Sequence, residues 1–70
     1  MPSYSPEFIQ MMRAVLDEVM TKVPAEQATS AIKAQMAELI LKAAADGQTS
    51  YESLLAAASS QIQAVLSILG

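Results

Sequence analysis

The sequence predicts an all-α fold, a three-helix bundle with helices at about 5–23, 30–46 and 50–69, and three observations carry that expectation. Large apolar residues recur at three- and four-residue spacings through each stretch. Helix-start and helix-stop residues punctuate them: Ser5-Pro6, Pro24, Thr29 and Gly47. The alternation of apolar and polar residues that marks a strand is missing. Residues 1–70 are therefore expected to form a single small helical domain, with short connections that favour antiparallel neighbours.

The first helix opens on Ser5-Pro6-Glu7. Ser5 suits the cap, Pro6 the first helical position, and Glu7 the positive end of the helix dipole. Tyr4 and Ile9 stand at the two positions of a hydrophobic staple. Phe8, Met12, Val15, Leu16, Val19 and Val23 form the stripe to be buried, with Ile9, Met11 and Met20 at its borders. Gln10, Asp17, Glu18 and Thr21 make the wet side, where Arg13–Asp17 and Glu18–Lys22 are oppositely charged and four apart. Pro24 disfavours helical geometry at Val23 and ends the element there.

The second helix starts either at Pro24 or after a cap at Thr29, and Thr29 is preferred because the apolar stripe becomes regular only from Ile32. One side carries Ile32, Met36, Leu39, Ile40 and Ala43; the other is apolar too, with Ala34, Ala37, Leu41, Ala44 and Ala45. Polar groups gather in the narrow sector of Gln35, Glu38, Lys42 and Asp46, with Lys33 apart. A helix apolar nearly all round wants partners on several sides. It is expected in the middle of the bundle, touching both flanking helices and a second chain.

Gly47 is the expected left-handed stop, and Thr49-Ser50-Tyr51-Glu52 reads as a capping box with Thr49 as the cap. From there Tyr51, Leu54, Leu55, Ala58, Ile62, Val65, Leu66 and Leu69 hold one stripe. The far side of Ser53, Ser60, Gln63, Ala64 and Ser67 is short or uncharged, so another backbone can approach it closely.

Composition narrows the function classes. The chain has no Cys and no His, which removes thiolate metal sites, disulfides and the commonest general base and metal ligand. Its 70 residues lie near the lower limit for a self-sufficient core, and thirteen of them are Ala, which bring little burial energy each. Association is a common remedy at this size. A net charge of −3 and a pI near 4.5 attract no phosphate. No apolar run reaches the roughly 18 residues of a membrane span, and the opening Met-Pro-Ser-Tyr-Ser-Pro-Glu lacks the basic and apolar regions of a secretory signal. A cytoplasmic location is the expectation.

Several short motifs have plainer readings beside their functional ones. Asp17, Glu18 and Glu38 are the carboxylates best placed for catalysis or a metal, but they fall on polar helix sides beside Lys or Arg and read as solvated surface. Glu52-Ser53-Leu54 loosely resembles the Asp-Ser-Leu phosphopantetheine attachment site of acyl carrier proteins. That family needs two further helices after the serine and only one can follow here, so Ser53 reads as a helix-start residue beside a core Leu. Ala43-Ala-Ala-Asp-Gly47 resembles the turn of helix-turn-helix DNA-binding proteins. No Lys or Arg follows Lys42, however, and a recognition helix without one cannot make the phosphate contacts that dominate affinity. Through Ser5-Pro-Glu-Phe-Ile and Gly47-Gln-Thr-Ser-Tyr-Glu-Ser-Leu-Leu the chain resembles short all-helical bacterial proteins of unassigned function, a resemblance that implies no site residues.

The function expected from these readings is a non-enzymatic protein–protein interaction module that self-associates as a homodimer. A helical protein partner is the second possibility, and nucleic acid and membrane are not expected. The candidate interface is Met11, Met20, Ala34, Ala37, Leu41, Ala44, Ala45 and Ile68, with no catalytic, metal or cofactor residues. Met11 and Met20 offer the adaptable surface that flexible thioethers provide. A small apolar-ligand or acyl carrier with a cavity between its helices is the alternative. A small DNA-binding regulator comes third, and requires dimerisation to group Arg13, Lys22, Lys33 and Lys42 on one face.

Overall fold

The Ser5 hydroxyl accepts the Phe8 N–H at 3.1 Å, and from that cap helix α1 runs Pro6–Thr21. The computed structural model describes residues 4–69, Leu69 by its backbone alone. The chain is the expected all-α three-helix bundle, with its third arm broken into two helices. α1 buries Met12, Val15 and Val19 and keeps Phe8 and Leu16 half-covered. Tyr4 meets Phe8 rather than the expected Ile9, with ring centroids 5.1 Å apart and planes tilted by 30°. Stacking two rings covers more apolar surface than a Tyr–Ile contact, and Ile9 is left 44% exposed.

α1 ends two residues before the expected Val23. The Lys22 and Val23 N–H groups bond back to the Val19 and Met20 carbonyls at 3.0 and 3.3 Å, a tightening common in last turns. Val23 lies outside the helix yet is buried. A single 3-10 turn over Ala25–Gln27 carries the connection, and the Thr29 N–H closes it onto the Gln27 carbonyl at 2.8 Å. Thr29 then caps helix α2, Ser30–Ala45, its hydroxyl accepting the Ile32 N–H at 3.3 Å. Of the two starts open to the second helix, Thr29 is therefore the one used.

α2 stops through a Schellman arrangement. The Gly47 N–H bonds to the Ala44 carbonyl at 3.1 Å and the Gln48 N–H to the Ala43 carbonyl at 3.0 Å. Gly47 takes φ +106°, a region that a side chain disfavours. The next cap is one residue later than expected: Ser50, not Thr49, opens helix α3, Tyr51–Ser59. The box is closed by Ser53 in place of Glu52, the Ser50 hydroxyl accepting the Ser53 N–H at 3.1 Å and the Ser53 hydroxyl accepting the Ser50 N–H at 3.3 Å. Gln48 is held by the Schellman bond, so Thr49 serves as connector and the second Ser-x-x-Ser pair takes the cap.

The expected third helix is not continuous. A turn at Ser60 and Gln61 separates α3 from helix α4, Ile62–Leu69. The Ser60 hydroxyl donates to the Ala57 carbonyl at 2.8 Å, and the Gln61 N–H bonds to Ala58 at 3.1 Å. Serine pairs and such back-bonding are established causes of helix bends. The apolar stripe survives the break, because Leu54, Ala58, Ile62 and Val65 all remain buried. Ser59, at the bend, has a buried hydroxyl oxygen without a hydrogen-bond partner.

α2 is the hub. It packs against α1, α3 and α4, whereas the main contact of α4 is with α2 alone. Ile32, Met36, Leu54, Val15 and Val19 are the largest fully buried side chains, and among the described residues no polar or charged residue is buried. The central position expected for the 30–46 stretch is the one observed.

Candidate functional site

Where α1 and α2 run side by side, the pattern leaves an open apolar groove of about 180 Å³. α1 lines it with Ile9, Met12, Arg13 and Leu16, and α2 with Ala37, Ile40 and Leu41. The floor is core: Met12 is 7% exposed and Ile40 2%. The lips are not, since Ile9 is 44% and Leu41 49% exposed. Arg13 supplies the charge at this edge.

Two lattices of spacing explain the groove. On α1, Ile9, Arg13 and Leu16 stand at i, i+4 and i+7, beside the buried stripe of Met12, Val15 and Val19. On α2, Ala37 and Leu41 occupy the corresponding line next to buried Met36 and Ile40. Ala37 is short, so the two backbones are separated by a trough that no large side chain from α2 fills. Outside Leu41 the surface continues as exposed Ala34 and Ala45, edged by exposed Glu38 and Lys42.

The expected interface residues divide into four sets. Ala34, Ala37, Leu41 and Ala45 come together as one outward patch, Ala37 half-buried and the others exposed. Ala44 does not belong to it: at 7% exposure it is part of the core. It follows Ile40 by one helical turn and so faces inward. Met11 and Met20 are half-buried and packed against the core, which makes them filling rather than free surface. Ile68 is 80% exposed but sits on α4, away from the α1 side of the groove. The residue missed in the sequence is Ile9, assigned there to the staple with Tyr4. Its line with Arg13 and Leu16 was the available signal.

A second hollow of about 330 Å³ lies between α2 and the α3–α4 bend, bordered by Leu39, Lys42, Ala43, Asp46, Ala57, Ser60 and Gln61. It mixes one cation, one carboxylate and apolar walls. Asp17, Glu18 and Glu38 are exposed, as expected for solvated carboxylates, and Glu18 meets the Thr21 hydroxyl at 3.4 Å. Among the described residues no three or more Asp or Glu side chains converge on a point that a metal ion can occupy. Ser53 spends its hydroxyl within the α3 cap and one helix, α4, follows α3 among the described residues. No helix among the described residues is long and apolar enough to cross a membrane. Comparison with known protein families, curated proteins and solved structures finds no match to this chain.

Proposed function

We propose that the chain is a non-enzymatic protein–protein interaction module that self-associates as a homodimer through the outer face of α2, in a cytoplasmic setting. The observation that carries this reading is Leu41, 49% exposed on one lip of an apolar groove whose other lip is Ile9. Single exposed apolar side chains are ordinary, but two facing each other across an apolar trough offer a joined surface that a second apolar face can cover, which supports this reading. Covering a Leu or Ile side chain fully is worth roughly 1.5–3 kcal/mol, so half-covered side chains leave a useful part of that for association. A chain of 70 residues has little core to spare, which adds to the advantage.

The apolar-ligand carrier draws on the same groove and less support follows. The groove's volume of about 180 Å³ is below the roughly 300–1,000 Å³ of sites that enclose small molecules, and the larger hollow of about 330 Å³ is bordered by Lys42, Asp46, Ser60 and Gln61, which do not suit an apolar ligand. Sedimentation equilibrium from micromolar to millimolar protein tests the leading reading. A dimer forming within that range is expected, and a 7.4 kDa monomer throughout removes the proposal.

A further inference from the structure

We infer that the second copy lies antiparallel on α2, about a two-fold axis that crosses the outer face at the level of residue 40, with Glu38 of each chain facing Lys42 of the other. This rests on the reading of the outer face of α2 as a self-association surface and adds its register. Reversed, the outward stretch complements itself at its flanks. Ala34 lies as far before the point between Leu39 and Ile40 as Ala45 lies after it, and Ile40 is midway between Glu38 and Lys42. All four flanking residues are exposed. Reversing the helix about Ile40 therefore puts carboxylate on ammonium and brings each terminal alanine within one position of the other. Leu41 of each chain falls within a turn of the axis, beside the partner's Ala37 and Leu41.

The flanks decide the direction. Glu38 and Lys42 lie on the same side of Leu41, about 60° and about 100° round the helix. An antiparallel pair brings like flanks together, so this flank meets its own reverse and both charges find an opposite, twice by symmetry. A parallel pair brings it against the other flank, which on α2 carries Lys33, Ala37 and Ala44 and no acid, leaving Lys42 without a carboxylate from the partner. Antiparallel packing also sets opposite ends of the two helix dipoles side by side. Alanines at Ala34, Ala37 and Ala45 let the backbones approach closely enough for the charged side chains to reach across.

Charge reversal provides the test. Glu38→Lys, Lys42→Glu, the double variant and an equimolar mixture of the two single variants are compared with the unaltered chain by sedimentation equilibrium at low salt. Circular dichroism checks that each variant remains helical. Each single variant is expected to weaken association about tenfold, as two exposed ion pairs become two like-charge contacts. The double variant and the mixture are expected to recover it, because both restore opposite charges across the pair. Loss with Glu38→Lys but not with Lys42→Glu overturns the antiparallel register in favour of the parallel one. Association abolished by Leu41→Gln but indifferent to both reversals also overturns the register while sparing self-association. A monomer in the unaltered chain overturns both.

Discussion

α1 and α2 are built to the same length, 16 residues each, and from the same kind of hydroxyl cap, yet they differ on the side they turn away from the core. α1 presents Gln10, Arg13, Asp17, Glu18 and Thr21, groups that water solvates well, with Ile9 the one large apolar residue exposed near its start. α2 presents Ala34, Leu41 and Ala45 between its charges. Their inner faces are alike: Val15 and Val19 on one, Ile32, Met36 and Ile40 on the other, all at 2% exposure or less. The fold therefore draws chiefly on the inner faces, and Leu41 is only half-covered by the bundle. On the reading proposed above, Leu41 serves association more than folding.

That contrast is broken or sharpened by substitution. The largest effect belongs to the inner face. Met36→Ala removes a side chain at 0% exposure and is expected to cost about 2–5 kcal/mol of unfolding free energy, enough to leave a domain this small largely unfolded. Urea denaturation followed by circular dichroism reads it, and a loss under about 1 kcal/mol would show the inner face to be loosely filled, with no real difference from the outer one. Gly47→Ala comes next. A Cβ there meets no atom within 4 Å, so the cost is the backbone strain at φ +106° alone, about 1–2 kcal/mol. Because the strain sits at the C-terminal stop of α2 and not on either face, thermal unfolding is expected to shift while the dimer constant at low temperature stays put. A change in the dimer constant would place the end of α2 inside the interface.

Most of the architecture was legible because its signals are local and redundant. Ser5, Thr29 and Gly47 each announce a helix end through their own backbone or side-chain chemistry, and each acts where expected. The buried stripe of α2 followed from spacing alone, Ala44 excepted: an alanine carries too little apolar weight to decide between two adjoining faces. The bend at Ser60–Gln61 was illegible for the opposite reason. The stripe runs through it unbroken, since Ala58, Ile62 and Val65 keep helical spacing, and neither Gly nor Pro marks it. What turns the chain is the Ser60 hydroxyl on the Ala57 carbonyl and the seat that α2 offers to α4, the latter a tertiary contact. The cap at Ser50 was missed by one position because two overlapping four-residue boxes compete there. The groove needed coordinates, because it is made by two helices and neither alone reveals that Ile9 and Leu41 face each other.

Leu41→Gln is expected to have the smallest effect on folding and the clearest effect on assembly. Glutamine is nearly as good a helix former as leucine, its methylenes keep part of the cover at the groove's edge, and its amide reaches water. Since Leu41 is already 49% exposed, the expected loss of unfolding free energy is below about 1 kcal/mol, measured at a concentration dilute enough to exclude the dimer. At high concentration the same variant is expected to sediment as a monomer. The two readings taken together separate a residue that builds the chain from one that joins chains. Met36→Ala fails both, because an unfolded chain presents no face. If Leu41→Gln unfolds the dilute chain instead, Leu41 belongs with Met36, and the outward faces of α1 and α2 differ in composition without differing in role.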